Sequence, residues 1–236
     1  VQVSNVDDTE HEGAPQTERE SESLPEIGLR ELKRLKTHRD LADAASSLVL
    51  EKGYDSVNIE DICERAHISR RTFFNYFESK DQSIFGKGII HFGEEDEEEF
   101  LATTHQDPIM EMLTQIERKN REVLAKEMAL DNTREFHRSL RDRRQEILRE
   151  EPKLSSVVVA YFSRSMRRVR SAFERYFEAH PESRNFPELP TEHEVTLSMG
   201  FVRECVLYSA LHLDIFDTET PLHDAAKVVT TFMRRM

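Results

Sequence analysis

The sequence predicts an all-α protein: an N-terminal three-helix unit of the helix-turn-helix type followed by a larger helical domain, about nine helices altogether. Three observations carry that reading. Apolar residues recur at spacings of three and four from Leu29 almost to the last residue, with no convincing strand alternation and no internal repeat. Glycine and proline are scarce, at 7 and 8 of 236 residues, and Pro108, Pro152, Pro181, Pro187, Pro190 and Pro221 punctuate the periodic runs. Two short runs with N-cap residues, Asn58 and Ser69, are separated by only Ala66-His67-Ile68, as in a helix-turn-helix.

Taken in order, residues 1–27 carry eight acids, one arginine and few large apolar side chains, which predicts a disordered acidic tail or an arm that orders on a partner. A domain over 28–88 follows. Its first helix places Leu32, Leu35, Leu41, Ala45, Leu48 and Val49 on one side and stops at Gly53, where a glycine ends a helix at little steric cost. Asn58, with Asp61 three residues on, opens a second helix that runs to Arg65 and turns Ile59, Ile62 and Cys63 inward. The third helix starts after Ser69 and reaches about Phe77, because Ser79-Lys80-Asp81-Gln82 is a capping box for a fourth carrying Ile84, Phe85, Ile89 and Ile90. The acidic run at 94–99, EEDEEE, reads as a solvated helix end or loop, with use by a metal or an Arg-rich partner as the alternative. Within the second domain, 89–236, amphipathic segments cover about 108–129, 132–150, 153–180, 191–214 and 221–235.

The net charge of -13 is unevenly distributed: -7 over 1–27, +1 over 28–90 and -7 over 91–236. Only the middle block is suited to a polyanion. Apolar runs such as 157–162 fall far short of the ~20 residues of a membrane span, and the acidic start lacks a signal-peptide pattern, so a cytoplasmic protein is expected. Cys63 and Cys205 lie far apart in apolar helical contexts and read as core residues. His105, His137, His193 and His212 show no metal-ligand spacing, and neither a nucleophile-base motif nor a phosphate-binding glycine loop is present; no metal, cofactor or catalytic residue is expected.

The third helix is two-faced. At ~100° per residue, Phe73 and Phe77 share one side while Arg71, Thr72 and Asn75 project from the other. Arginine can bind guanine O6 and N7, asparagine adenine N6 and N7, and the threonine methyl can touch a thymine methyl, so these three are candidate base readers. Arg70 lies nearer the inner edge, within reach of a base or phosphate, and the Tyr76 hydroxyl flanks the face. Lys80 and the helix N-terminus at Asn58 suit backbone phosphates.

With these residues in place, the sequence resembles the TetR family of bacterial transcriptional regulators. The likeness runs from about Thr37 to Phe85, through Glu51-Lys-Gly-Tyr54, the segment from Asn58 to Ala66, and the stretch from Ile68 to Phe77. It implies a three-helix DNA-binding domain joined by a fourth helix to an all-α domain that binds an effector and dimerises. The DNA contacts it implies fall on Asn58, Ser69, Arg70, Arg71, Thr72, Phe74, Asn75, Tyr76 and Lys80. Phe74 stands where a phosphate-binding tyrosine is common, and His67 where glycine is usual, which predicts a mildly strained turn.

The resemblance also implies that the last two helices pair with their copies in a homodimer. Val195, Met199, Val202, Val206 and Leu213 form one candidate stripe and Val228, Val229 and Phe232 another, with an intramolecular core as the alternative. A small-molecule effector pocket is expected among Met110, Leu113, Ile116, Phe136, Tyr161, Phe162, Met166, Phe201, Cys205 and Tyr208, or these are ordinary core. Arg134, Arg138, Arg141, Arg143 and Arg144 read as a solvated helix surface or, alternatively, an anion contact. The expected function is a ligand-responsive regulator, a repressor released from a palindromic operator by its effector. An all-α enzyme or a protein-interaction module are the rivals.

Overall fold

The computed structural model describes residues 28–86, 90–215 and 217–236; the expectations for 1–27 and for Ile89 lie outside them. The described residues form ten α-helices and no strand. In order these are α1 (Leu29–Lys52), α2 (Ile59–Arg65), α3 (Arg70–Tyr76), α4 (Lys80–Phe85) and α5 (Glu94–Leu101), then α6 (Pro108–Glu127), α7 (Thr133–Glu150), α8 (Ser155–Ala179), α9 (Thr191–His212) and α10 (Pro221–Met233). Among them no helix is long and apolar enough to cross a membrane.

The helix more than expected is α5, the acidic run itself. Four acids in its first turn complement the N-terminal dipole, and the Asp96 carboxylate accepts the Gly93 N–H at 2.7 Å. Its solvated reading fails at Asp96 and Glu97, both buried. The Glu97 carboxylate accepts from Arg175 at 2.7 Å, Arg168 at 3.2 Å and Ser171 at 3.3 Å, so the run reaches the arginines of α8. The partner for this charge lies some seventy residues away, beyond any local pattern.

Two apolar cores hold the molecule. The first joins Leu41, Leu48, Val57, Ile62, Phe73, Phe77 and Ile84 of the N-terminal helices to Leu140, Ile147 and Leu154 of α7 and the turn after it. The second is built by α5, α6, α8, α9 and α10 around Phe100, Leu113, Ile116, Phe173, Tyr176, Val202 and Ala225. Long-range polar links hold its edges. Buried Glu194 binds Arg184 at 2.8 Å and the N–H groups of Asn185 and Phe186, fixing the α8–α9 connection. Buried Glu117 accepts the Leu222 N–H at 2.7 Å and lies 2.6 Å from His223 Nδ1, tying the start of α10 to α6.

Because the first core includes α7, the three-helix unit is docked on the helical body. Arg143 reaches across to Asp43 at 2.6 Å and Ser46 at 3.0 Å, and Lys153 to Asp55 at 2.6 Å. Arg39 lies 4.3 Å above the Phe136 ring and donates to Asp131 O at 2.6 Å. Arg138 pairs instead with Asp214, at 2.7 Å. Arg144 donates Nε to Ile84 O at 2.6 Å, so the arginines at 143 and 144 are clasps between units, which corrects their reading as a solvated surface.

Candidate nucleic-acid interface

Each short helix of the N-terminal unit is set by its ends. Gly53, at φ +82°, donates to Val49 O at 2.8 Å and stops α1. Asn58 accepts the Asp61 N–H at 2.9 Å, and the Asp61 carboxylate accepts the Asn58 N–H at 2.9 Å, a reciprocal capping box that starts α2. The turn after α2 closes through two bonds, Ile68 N–H to Cys63 O at 2.9 Å and His67 N–H to Glu64 O at 3.1 Å. These are the paired bonds of a Schellman motif, whose pivot occupies the left-handed region. His67 holds that pivot at φ +54°, the positive φ expected from its replacement of glycine. Ser69 then caps α3 by accepting the Thr72 N–H at 3.0 Å.

The result is the two-sided helix read from the sequence. Phe73 and Phe77 are buried, their rings 5.9 Å apart, and His38 of α1 lies 4.6 Å from Phe77. Arg70, Arg71, Phe74 and Asn75 are exposed, as are the caps Asn58 and Ser69, while Thr72 and Tyr76 are half-buried at the rim. The Thr72 hydroxyl is 2.8 Å from Ser69 Oγ. Phe74 is 46 % exposed, an apolar group on a polar face.

Two residues have commitments that the sequence did not reveal. Arg70 is paired through one guanidinium nitrogen with Glu60 of α2 and lies 5.6 Å from the Phe74 ring. Lys80 turns inward: its ammonium donates to Tyr54 O and Val57 O, both at 2.8 Å, and sits 3.7 Å above the Tyr54 ring. Desolvation holds its pKa below the ordinary lysine value. The neighbouring Asp81 carboxylate accepts the Tyr54 hydroxyl, and burial together with that bond raises the phenol's pKa. Lys80 is thus first a staple for the turn after α1, with one N–H left over for a phosphate. Ser79 caps α4 through the Gln82 N–H at 3.1 Å, but the returning Gln82 carbonyl takes the Glu78 N–H at 2.7 Å, one residue before the expected partner.

The other predicted sites are rearranged. Of the effector-pocket residues, Leu113, Ile116, Met166 and Cys205 are buried in the second core, with Met110, Phe162, Phe201 and Tyr208 packed against it. They fill space instead of lining it, and burial pushes the Cys205 thiol up to about 12. Tyr161 is elsewhere, its hydroxyl 3.0 Å from Ser79 Oγ, while Phe136 packs on the first core and also borders a groove. Among the described residues, open space includes the following two sites. A cavity of about 520 Å³ lies between α6, α9 and the start of α10, walled by Leu124, Met128, Ala210, Ile215 and Leu222 with Arg121 and Arg134. A groove of about 930 Å³ separates α1 and α3 from α6 and α7.

The candidate dimer stripes divide between core and surface. Val195, Val202, Val206 and Val229 are buried within the chain's own core, the alternative that the sequence left open. Val228 and Phe232 are exposed, as are Leu197 and Leu211, which sequence reasoning missed; Met199 and Leu213 are half-buried. The missed leucines lie outside the denser stripe and carried no separate signal.

Capped α2, a three-residue Schellman turn and a polar-faced α3 define a helix-turn-helix DNA-binding unit. Residues 41–82 match the family model described as bacterial regulatory proteins, tetR family. The chain is 41 % identical over 44 residues to YdeS, an uncharacterized HTH-type transcriptional regulator of Bacillus subtilis (strain 168). That match spans 19 % of this chain and 22 % of the relative. Over this N-terminal unit the chain is similar to TetR-family regulators, and it spans about a fifth of the length of the relative it matches.

Proposed function

We propose that the chain is a ligand-responsive transcriptional regulator, a repressor, that binds a near-palindromic DNA operator as a homodimer and releases it when a small-molecule effector binds. The observation that carries this reading is α3, which anchors Phe73 and Phe77 in the core and offers Arg71, Thr72 and Asn75 at its surface. Two such helices about a two-fold axis read half-sites ~34 Å apart, or a multiple of that. Gel shifts with genomic fragments test it: a sequence-preferring complex at moderate salt is expected, and Arg71→Ala or Asn75→Ala should cost about 1–3 kcal/mol of discrimination. Failure to select any fragment would favour a protein-interaction module.

The homodimer reading rests on the apolar groups that α9 and α10 leave outside, Leu197, Leu211, Val228 and Phe232. Phe232, 66 % exposed, is the sharpest test. Phe232→Glu should shift the sedimenting species from dimer to monomer with helix content kept; an undisturbed dimer would remove α10 from the interface.

An enzymatic reading gains little from the one relay-like set of groups. Thr114 Oγ1 is 3.2 Å from His223 Nε2, and His223 Nδ1 is 2.6 Å from Glu117, in the order nucleophile, base and acid. The hydroxyl, however, donates to Met110 O at 2.9 Å, and Glu117 also holds the Leu222 N–H. The set is better explained as a fastening of α10 to α6.

A further inference from the structure

The groove between the three-helix unit and the helical body differs in charge from the chain around it. Arginine and lysine outnumber carboxylates along its walls, in a chain of net charge -13. Its carboxylates are occupied: Glu31 is held by the Arg34 fork at 2.7 Å, and Glu127 lies 2.5 Å from His137 Nε2.

Arg144 has no such partner. It projects from α7 into the groove beneath Gly86, where a Cβ would stand 3.4 Å from its Nη2, and it donates Nε to Ile84 O at 2.6 Å. Among the described residues no carboxylate comes within ion-pairing distance of its guanidinium. Burial holds its pKa down to about 10, neighbouring Arg143 pushes the same way, and Glu127 offsets part of the effect. A packed cation with one neutral acceptor is costly, and an arriving anion would relieve that cost.

We propose that this groove seats a small oxyanion, a carboxylate or phosphate carried on an apolar or aromatic body, with Arg144 as its anchor. The guanidinium's parallel N–H groups suit either head group in a bidentate pair. The Phe136 ring and the imidazoles of His38 and His91 share the groove and give the body a surface to pack on. A merely structural Arg144, holding α4 through Ile84 O, would need no anion. The consequence for regulation rests on the proposed DNA-binding role of α3. Thr72, Asn75 and Tyr76 line the same groove, so an occupant touches the reading helix, and anion and operator weaken each other's binding by the same factor.

The test uses the full chain at fixed ionic strength, titrated calorimetrically with inorganic phosphate, benzoate and neutral benzamide. Saturable binding of benzoate or phosphate and none of benzamide are expected, with at least a tenfold loss of affinity in Arg144→Gln. A benzoate advantage over phosphate identifies the ring-bearing class; the reverse identifies a bare oxyanion. Since Arg144→Gln also weakens the hold on α4, Val123→Glu, which adds a carboxylate to the α6 wall, is the second variant and should lose anion binding with helix content unchanged. Absence of saturable anion binding, or full binding by both variants, overturns the seat. Lack of operator binding by the anion-free chain strikes the regulator reading instead.

Discussion

His67 shows how a single side chain records a backbone demand. Its φ of +54° belongs to the left-handed pivot of a Schellman turn, which costs an ordinary residue roughly 1–2 kcal/mol, while glycine gives back about half of that gain through greater freedom in the unfolded chain. His67→Gly should therefore raise stability by about 0.5–1 kcal/mol in urea denaturation; a loss would mean that the imidazole contributes something unseen. Glu60 poses the opposite problem, a favourable contact that competes with function. Its pairing with Arg70 is solvent-exposed and worth little in stability, yet it neutralises a cation at the outer face of α3. Glu60→Gln should leave the folded state within about 0.5 kcal/mol of the parent. In gel shifts it should tighten DNA binding, with a salt dependence steeper by up to about one counterion. Unchanged affinity and slope would place Arg70 away from the DNA.

Local signals made the N-terminal elements legible, and their absence hid others. Caps, the terminating Gly53 and the spacing of Phe73 and Phe77 all act within one or two turns, so α1 to α4 and the two faces of α3 could be read directly. The inward turn of Lys80 could not, because the carbonyls that hold it belong to a turn more than twenty residues earlier. The apolar stripes of α9 and α10 were visible, but periodicity does not say whether a stripe meets its own chain or another copy. For α5 the pattern misled: six adjacent acids read as solvated, whereas Glu97 is 6 % exposed and shared by two arginines of α8. Removing that carboxylate leaves Arg168 and Arg175 to repel each other, partly relieved by their own exposure. Glu97→Ala should cost about 1–3 kcal/mol, against less than about 0.5 for exposed Glu98→Ala. Chemical denaturation of both variants decides it, and equal effects would return the whole run to a solvated role.

At the scale of the whole molecule, the groove between the N-terminal unit and the helical body is bordered by α1, α3, α6 and α7. Glu127 lines that groove from the last turn of α6, with His137 of α7 at 2.5 Å. Burial pushes its carboxyl pKa up, but the His137 hydrogen bond and the charges of His137, His38 and His91 outweigh burial and leave it below the ordinary value. A carboxyl with a depressed folded pKa releases its proton more readily in the native state. Its contribution is therefore complete above the unfolded pKa, about 4.3, and is lost as the pH falls through the lower folded value. Glu127→Gln removes that titration while nearly preserving shape. The parent should exceed the variant in urea stability at about pH 5.5, and the gap should close as the pH drops below about 4. If the gap widened on acidification, the carboxyl would have to be easier to protonate in the folded chain, and the imidazoles would not be what holds this junction together.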